Sequence, residues 1–352
     1  MIRTSIWTVA LFATLGINST VRAQQACDEQ LIVFGDSLSD TGNAYAASWG
    51  TFPPSPPYAN GRFTDGIGIS DGLVWVEYLA DLLELDRPAA RFSNEFPRTN
   101  YAFGGAVTGS MPAAYSPVLN PAPDTDVQGG LPLDGQIALF LQDLQASASD
   151  LQDVCGLDPT NSLVVVWIGS NDILLLNEPD PGDSVKNIQS NIETLIETGA
   201  TQFLVANMPD VTMTPGYTTY DSFFVAQEAI DEPPAEVRKR VLKFNAKLRE
   251  ALGKIEQKNP GVRIYSFDAF SLLNDIIASS EDYGLNPDTA GTPLLVEEDL
   301  FLNGSLSLSE DPPQEYWLFW DGVHPTSNVH AVFAEAACSV LDRLDVSCEL
   351  EL

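Results

Sequence analysis

Apolar and polar residues alternate along this chain with two distinct periods. Four short apolar runs, at residues 31–34, 163–168, 202–206 and 262–267, have the length and β-branched or aromatic content of buried strands. Elsewhere the spacing lengthens to that of helices. Val185, Ile188, Ile192, Leu195 and Ile196 share one face over 185–197. Over 235–258, Val237, Val241, Phe244, Leu248, Leu252 and Ile255 form one apolar stripe, which Asn259-Pro260-Gly261 ends. Trp75 and Tyr78 fall at helix spacing with Leu79 and Leu82 and read mostly as core. A last helix is expected over about 328–344. Strands alternating with helices predict an α/β fold, a mostly parallel sheet covered by helices on both faces.

Long polar or proline-rich stretches interrupt this pattern at 53–72, 109–135, 178–183, 209–234 and 279–313. Loops of this length in a compact domain are often lids or binding walls. None has the makings of an independent domain, and there is no internal repeat. The start of the chain stands apart. Arg3 precedes an apolar run over 6–17 that is too short to span a bilayer comfortably, and Val21-Arg22-Ala23 offers small residues around a cleavage site. Residues 1–23 therefore read as a secretory signal, and residues 24–352 as one exported domain. A lipid-anchored reading at Cys27 is weaker, because Gln24 stands where such signals usually carry leucine. No later run is long and apolar enough for a membrane span, so no stable membrane insertion is expected.

Charge narrows the partners. The formal net charge is −32, and removing Arg3 and Arg22 with the signal makes it more negative. Phosphate binding needs concentrated Lys and Arg, so nucleic acid is disfavoured, as is stable docking on anionic lipid. One helix, 235–258, gathers Arg238, Lys239, Arg240, Lys243, Lys247, Arg249, Lys254 and Lys258. Against so acidic a chain, these read as a solvated face that offsets neighbouring carboxylates. The four cysteines, Cys27, Cys155, Cys338 and Cys348, suggest two disulfides with three possible pairings. Cys338–Cys348 closes the shortest loop and would leave Cys27 with Cys155. No Cys-x-x-Cys occurs and the chain holds two histidines, so a structural zinc site is not expected. Asn303-Gly304-Ser305 is a glycosylation sequon, relevant only in a host that glycosylates.

The candidate chemistry begins just after the first apolar run, at Phe34-Gly35-Asp36-Ser37-Leu38-Ser39-Asp40-Thr41-Gly42-Asn43. A serine past the end of a buried strand lies where open α/β sheets place ligands. A serine hydroxyl needs a base within hydrogen-bond reach and a group that orients the base. His324, in Asp321-Gly322-Val323-His324-Pro325, has a carboxylate three residues earlier that can fold back onto it. His330 has no comparable partner and reads as a helix-face histidine. Acyl transfer also needs donors aimed at the developing oxyanion. Gly104-Gly105 permits close backbone approach, and Asn171 follows the strand 163–168 at the same sheet edge as Ser37. Asp36 and Asp40 flank the serine and read as turn-orienting groups outside the catalytic set.

Phe-Gly-Asp-Ser-Leu-Ser, Asn-x-Ala-x-Gly-Gly-Ala, Gly-x-Asn-Asp and Asp-x-x-His-Pro occur in this order across residues 31–326. Together they resemble the GDSL esterase/lipase family of SGNH hydrolases, and residues 56–66 and 74–79 resemble its secreted members. The resemblance implies a flavodoxin-like three-layer α/β/α sandwich with long loop insertions. It implies Ser37 as nucleophile, His324 as base and then acid, and Asp321 as the orienting carboxylate. The backbone N–H groups of Ser37 and Gly105 and the side chain of Asn171 would form the oxyanion hole, with Gly104 the neighbouring alternative. No metal or organic cofactor is implied. The Gly-x-Ser-x-Gly elbow of other α/β hydrolases is absent. The expected substrate is a small-molecule or oligosaccharide ester, cleaved by a protein taken to be monomeric. Short acyl or carbohydrate acetyl esters come first. Lipase, phospholipase or acyltransferase action on longer chains is the alternative, and a non-catalytic binding role is a third reading. Tyr316, Trp317, Phe319 and Trp320 are candidates for a sugar platform or an acyl groove, or for buried strand residues.

Overall fold

The computed structural model describes residues 29–66, 72–110, 130–149, 156–218, 222, 224, 225, 227–297, 300, 301, 304–309, 313, 316–341, 343 and 346–350. Strands β1 (Gln30–Gly35), β2 (Ser162–Trp167), β3 (Gln202–Ala206) and β4 (Arg263–Phe267) form one parallel sheet in that order. Each lies within one residue of an apolar run. Residues 99–103 extend the sheet beyond β1. Val33 N–H donates to Thr99 O, Tyr101 N–H to Val33 O and Phe103 N–H to Gly35 O. This segment falls between β1 and β2 in sequence but outside β1 in space. The spatial order therefore reverses at β1, the kind of switch point at which open α/β sheets hold ligands.

The helices used below are α1 (Asn43–Ala47), α2 (Trp75–Leu82), α3 (Leu133–Ser149), α4 (Ser170–Leu174), α5 (Gly182–Glu197), α6 (Pro234–Lys258), α7 (Ala269–Ala278) and α8 (Ser327–Ser339). Successive strand residues point to opposite faces of a sheet. Ile32, Phe34, Val164, Val166, Phe203 and Val205 accordingly pack with the apolar stripes of α3, α5 and α6. Leu31, Val33, Leu163, Val165, Trp167 and Leu204 pack with α2, α7 and α8 on the other face. This is the expected α/β/α layering. Trp75, Tyr78, Leu79 and Leu82 are all buried in the second core, as their spacing predicted.

The basic face of α6 is answered by carboxylates. Arg238 pairs with Asp210 at 2.7 Å, Lys254 with Glu250 at 2.6 Å and Lys258 with Glu193 at 3.4 Å. The closing helix α8 stops at Ser339, short of the expected 344. A Cys338–Cys348 disulfide turns the chain back there, and Leu350 N–H reaches Glu335 Oε1 at 2.8 Å along the helix side. The Cys27–Cys155 pairing, the signal over 1–23 and the asparagine of the 303–305 sequon lie outside the described residues.

His330 ties α8 to α2. It is fully buried, and its Nδ1 accepts the Trp75 N–H at 3.2 Å. That N–H is one of the donors a helix start cannot satisfy within itself. Burial, reinforced by the charge of His324, lowers the His330 pKa from 6.5 to about 3. Between those values the unfolded chain binds a proton that the folded chain refuses, so this group's contribution to stability rises with pH. Urea midpoints of the wild type should therefore contain a component that falls on acidification from pH 6.5. His330→Gln, which keeps an acceptor for Trp75, should lose that component, on the order of a few kcal/mol. Superimposable pH slopes for the two proteins would contradict this.

Candidate active site

Ser37 sits in the turn that leaves β1, next to the switch point. Asp36 N–H donates to Trp167 O at 3.3 Å, and Ser39 N–H closes the turn onto Asp36 O at 3.1 Å. Asp36 Oδ1 accepts Leu38 N–H at 3.1 Å. Gln136 of α3 clasps the strand end with both halves of its amide, accepting Gly35 N–H at 3.0 Å and donating to Gly35 O at 2.8 Å. Asp40 accepts N–H groups from Gly42, Asn43, Ala44 and Gly104. It thereby caps α1 and fixes the Gly104 loop to the serine turn. Burial pushes the Asp36 carboxyl up to about 7 and that of Asp40 up to about 6, against the pull of those N–H donors. Both residues orient the turn, as expected from the sequence.

The two distant residues meet this turn. Ser37 Oγ lies 2.7 Å from His324 Nε2, and His324 Nδ1 lies 2.7 Å from Asp321 Oδ2. With Nδ1 protonated toward the buried carboxylate, Nε2 is the acceptor for the serine proton. Ser37 and His324 are nearly buried and Asp321 is wholly so. Asp321 Oδ1 accepts Val323 N–H at 2.9 Å and His324 N–H at 2.7 Å, which folds the carboxylate back across the turn. Trp320 N–H bonds His324 O at 2.8 Å and closes it.

Two side chains that had no assigned role complete the loop's support. Tyr58 OH donates to Asp321 Oδ2 at 2.8 Å from 263 residues away. Glu297 accepts Gly322 N–H at 2.5 Å and the Ser222 hydroxyl at 3.0 Å. Glu297 is buried. The periodicity of the sequence carries no signal for either contact, since each joins segments far apart in the chain.

The expected oxyanion donors converge on the same edge. Asn171 Nδ2 donates to Ala106 O at 2.9 Å. A primary amide has a second N–H to offer. Asp172 accepts Thr108 N–H at 3.0 Å, Thr108 Oγ1 at 2.5 Å and Ser184 Oγ at 2.8 Å, so it pins the 103–108 loop to α4 and α5. Neither residue caps its own helix, where Gly169 is the cap. Gly104 N–H is committed to Asp40 at 2.8 Å. Gly105 holds a positive φ of 76°, and among the described residues nothing lies within 4 Å of where a Cβ would stand.

Around the histidine the surface is aromatic. The His324 ring lies 5.1 Å from the Phe63 ring and 4.9 Å from that of Phe224, centre to centre. Phe52 and Phe301 join Phe224 at 6.3 Å and 5.8 Å. Phe52, Phe224 and Phe301 are half-buried. Trp317, Phe319 and Trp320 are core residues, whereas Tyr316 is exposed. Of the three readings given to that cluster from the sequence, buried packing holds for three of its four members.

Fold and site together define a class: an α/β/α hydrolase whose serine, histidine and aspartate are in hydrogen-bonded series at a sheet switch point. The family follows. The GDSL-like lipase/acylhydrolase model matches residues 31–337, and the chain belongs to that family. It is 25% identical over 374 residues to a phosphatidylcholine-sterol acyltransferase of Aeromonas hydrophila, covering 96% of this chain and 97% of that one. It is 27% identical over 285 residues to an acetylesterase of Thermothelomyces thermophilus, covering 78% and 83%. A lipolytic G-D-S-L protein of known structure from Veillonella parvula aligns over 90% of this chain and all of its own, with a TM-score of 0.37 and 14% identity. The chain is thus an ester hydrolase or acyltransferase of the GDSL type.

A Cβ on Gly322 would stand 2.3 Å from Ser222 Oγ and 2.7 Å from Glu297 Oε1, too close for any real side chain. Gly322→Ala should therefore displace the turn that carries Asp321 and His324. Ester turnover is expected to fall by about tenfold or more, since small misplacements of reacting groups cost rate steeply. Gly261→Ala, where a Cβ meets nothing within 4 Å, serves as the control. Equal kcat/KM for the two variants would contradict the packing argument.

Proposed function

We propose that this protein is an exported serine ester hydrolase that passes its acyl group through Ser37. The observation that carries the reading is the series Ser37 Oγ, His324 Nε2, His324 Nδ1 and Asp321 Oδ2, with 2.7 Å at each step between side chains. Ser37 Oγ attacks the ester carbonyl carbon as its proton passes to His324 Nε2. The carbonyl oxygen becomes an oxyanion, met by the N–H groups of Ser37 and Gly105 and by Asn171 Nδ2. Gly105 takes this role over Gly104, whose N–H is already engaged. As the intermediate collapses, His324 returns the proton to the leaving alkoxide. A water, or an alcohol in acyl transfer, then attacks the acyl-enzyme with His324 again as base. Asp321 holds the imidazole tautomer and stabilises the imidazolium.

The half-buried rings of Phe52, Phe224 and Phe301 beside His324 support an ester with an apolar acyl group. The full-length likeness to an enzyme named for phosphatidylcholine and sterol agrees with that. The acetyl-ester reading rests on the acetylesterase relative; Trp317 and Trp320, the candidates for stacking a sugar, are in the core. The apolar h-region at the chain start and the Cys338–Cys348 disulfide support export.

Ser37→Ala should abolish turnover of p-nitrophenyl esters; equal rates for variant and wild type would refute the nucleophile. Asn171→Ala should lower kcat by about 10²–10³, the usual cost of one oxyanion donor. Across p-nitrophenyl esters from acetate to palmitate, kcat/KM should rise beyond acetate, and a maximum at acetate would favour the acetylesterase reading. The acid limb of kcat/KM should follow the protonation of His324, because an imidazolium cannot accept the serine proton.

A further inference from the structure

The geometry points to Tyr58 as a positioning residue of the charge-bearing series: its hydroxyl shares the Asp321 oxygen that faces His324 and sets the basicity of that histidine. The inference rests on the Ser37–His324–Asp321 reading and deepens it.

Asp321 is wholly buried, and its carboxylate meets four donors. Oδ1 is taken by the two backbone N–H groups of its own turn, from Val323 and His324. Oδ2 is shared by His324 Nδ1 at 2.7 Å and Tyr58 OH at 2.8 Å. A phenol is a neutral donor, so it spreads the negative charge of Oδ2 without cancelling it. Hydrogen bonds to a charged form stabilise that form and weaken its pull on other partners. Tyr58 therefore moderates the attraction of Asp321 for an imidazolium at His324.

The phenol is fixed well enough to act this way. Tyr58 is 1% exposed, and its ring meets Trp320 edge-on at 5.8 Å. Its backbone is held by Tyr58 N–H to Pro54 O at 3.1 Å and by Ser55 Oγ to Tyr58 O at 2.8 Å. Asp65, bridged to Tyr58, accepts Ser327 N–H at 2.6 Å and joins this loop to the start of α8, three residues beyond His324. The ring and the imidazole are thus held in one frame, and the hydroxyl adds an electrostatic function to a packed side chain. The contact by which Tyr58 bears on the series is its hydroxyl on Asp321 Oδ2.

The test is an NMR titration of the His324 imidazole in wild type, Tyr58→Phe, Asp321→Asn and the double variant. The chain has two histidines, and buried His330 stays neutral across the range, so one imidazole titrates. Tyr58→Phe should move the His324 midpoint to higher pH by about half a unit or more. The acid limb of kcat/KM should follow it, with KM unchanged. In the Asp321→Asn background the same substitution should have no effect on the midpoint, because the charge whose pull Tyr58 moderates is gone. An unmoved midpoint in Tyr58→Phe, or an equal shift in both backgrounds, overturns the inference. Should Tyr58→Phe fail to fold, the wild type answers instead. A protected Tyr58 hydroxyl proton with a cross-peak to His324 Nδ1–H supports the contact, and a hydroxyl in fast exchange with water refutes it. The titration reads the histidine whether or not Ser37 attacks esters, so its failure is distinct from a Ser37→Ala variant that keeps full activity.

Discussion

A carboxylate sealed from water must be met by donors, and the arrangement of this molecule follows from how Asp321 is met. An unpaired buried charge costs several kcal/mol, so the loop that carries it has little freedom to adopt another shape. Its own turn supplies two N–H groups, His324 a third donor and Tyr58 a fourth. Three of these donors lie within three residues of Asp321, and Tyr58 ties a distant stretch of chain to the same carboxylate. The turn cannot relax without leaving a buried carboxylate oxygen short of a donor. His324 is aimed at Ser37 as a consequence of that constraint.

The serine side is built by the same rule. Asp40 gathers four backbone N–H groups and thereby joins β1, α1 and the Gly104 loop into one unit. Asp172 does likewise for the 103–108 loop, α4 and α5, and burial raises its pKa too. Three buried aspartates thus serve as nodes at the carboxyl edge of the sheet. Only one of them touches the histidine. The other two keep the Gly105 N–H and the Asn171 amide in register with the serine turn, at the edge where β1 and β2 part.

Much of this was legible in the sequence because it is local or periodic. Runs such as 163–168 are apolar on every residue, as a strand covered on both faces must be, and they became strands within one residue. The stripe from Val237 to Ile255 became α6 for the same reason. The end of α8 was misjudged because the periodic signal runs on past Ser339. Cys338, one residue before that end, is bonded to Cys348, a pairing set by where two cysteines come to rest. The four aromatics before His324 could not be assigned at all, since inward and outward positions on an irregular segment share no period.

The sequence by itself determined which residue types stand at the strand ends, and so Ser37, Asn171, the Gly104-Gly105 pair and the Asp321–His324 turn. Those assignments depend on short spacings and on the rule that parallel sheets present their carboxyl ends to ligands. Tertiary structure alone decided that Gly104 serves Asp40 and leaves Gly105 open, that Glu297 braces Gly322, and that Tyr58 reaches Asp321 across 263 residues. Such contacts join segments far apart in sequence. Their partners are chosen by how the layers pack, and no periodicity or local spacing encodes that choice.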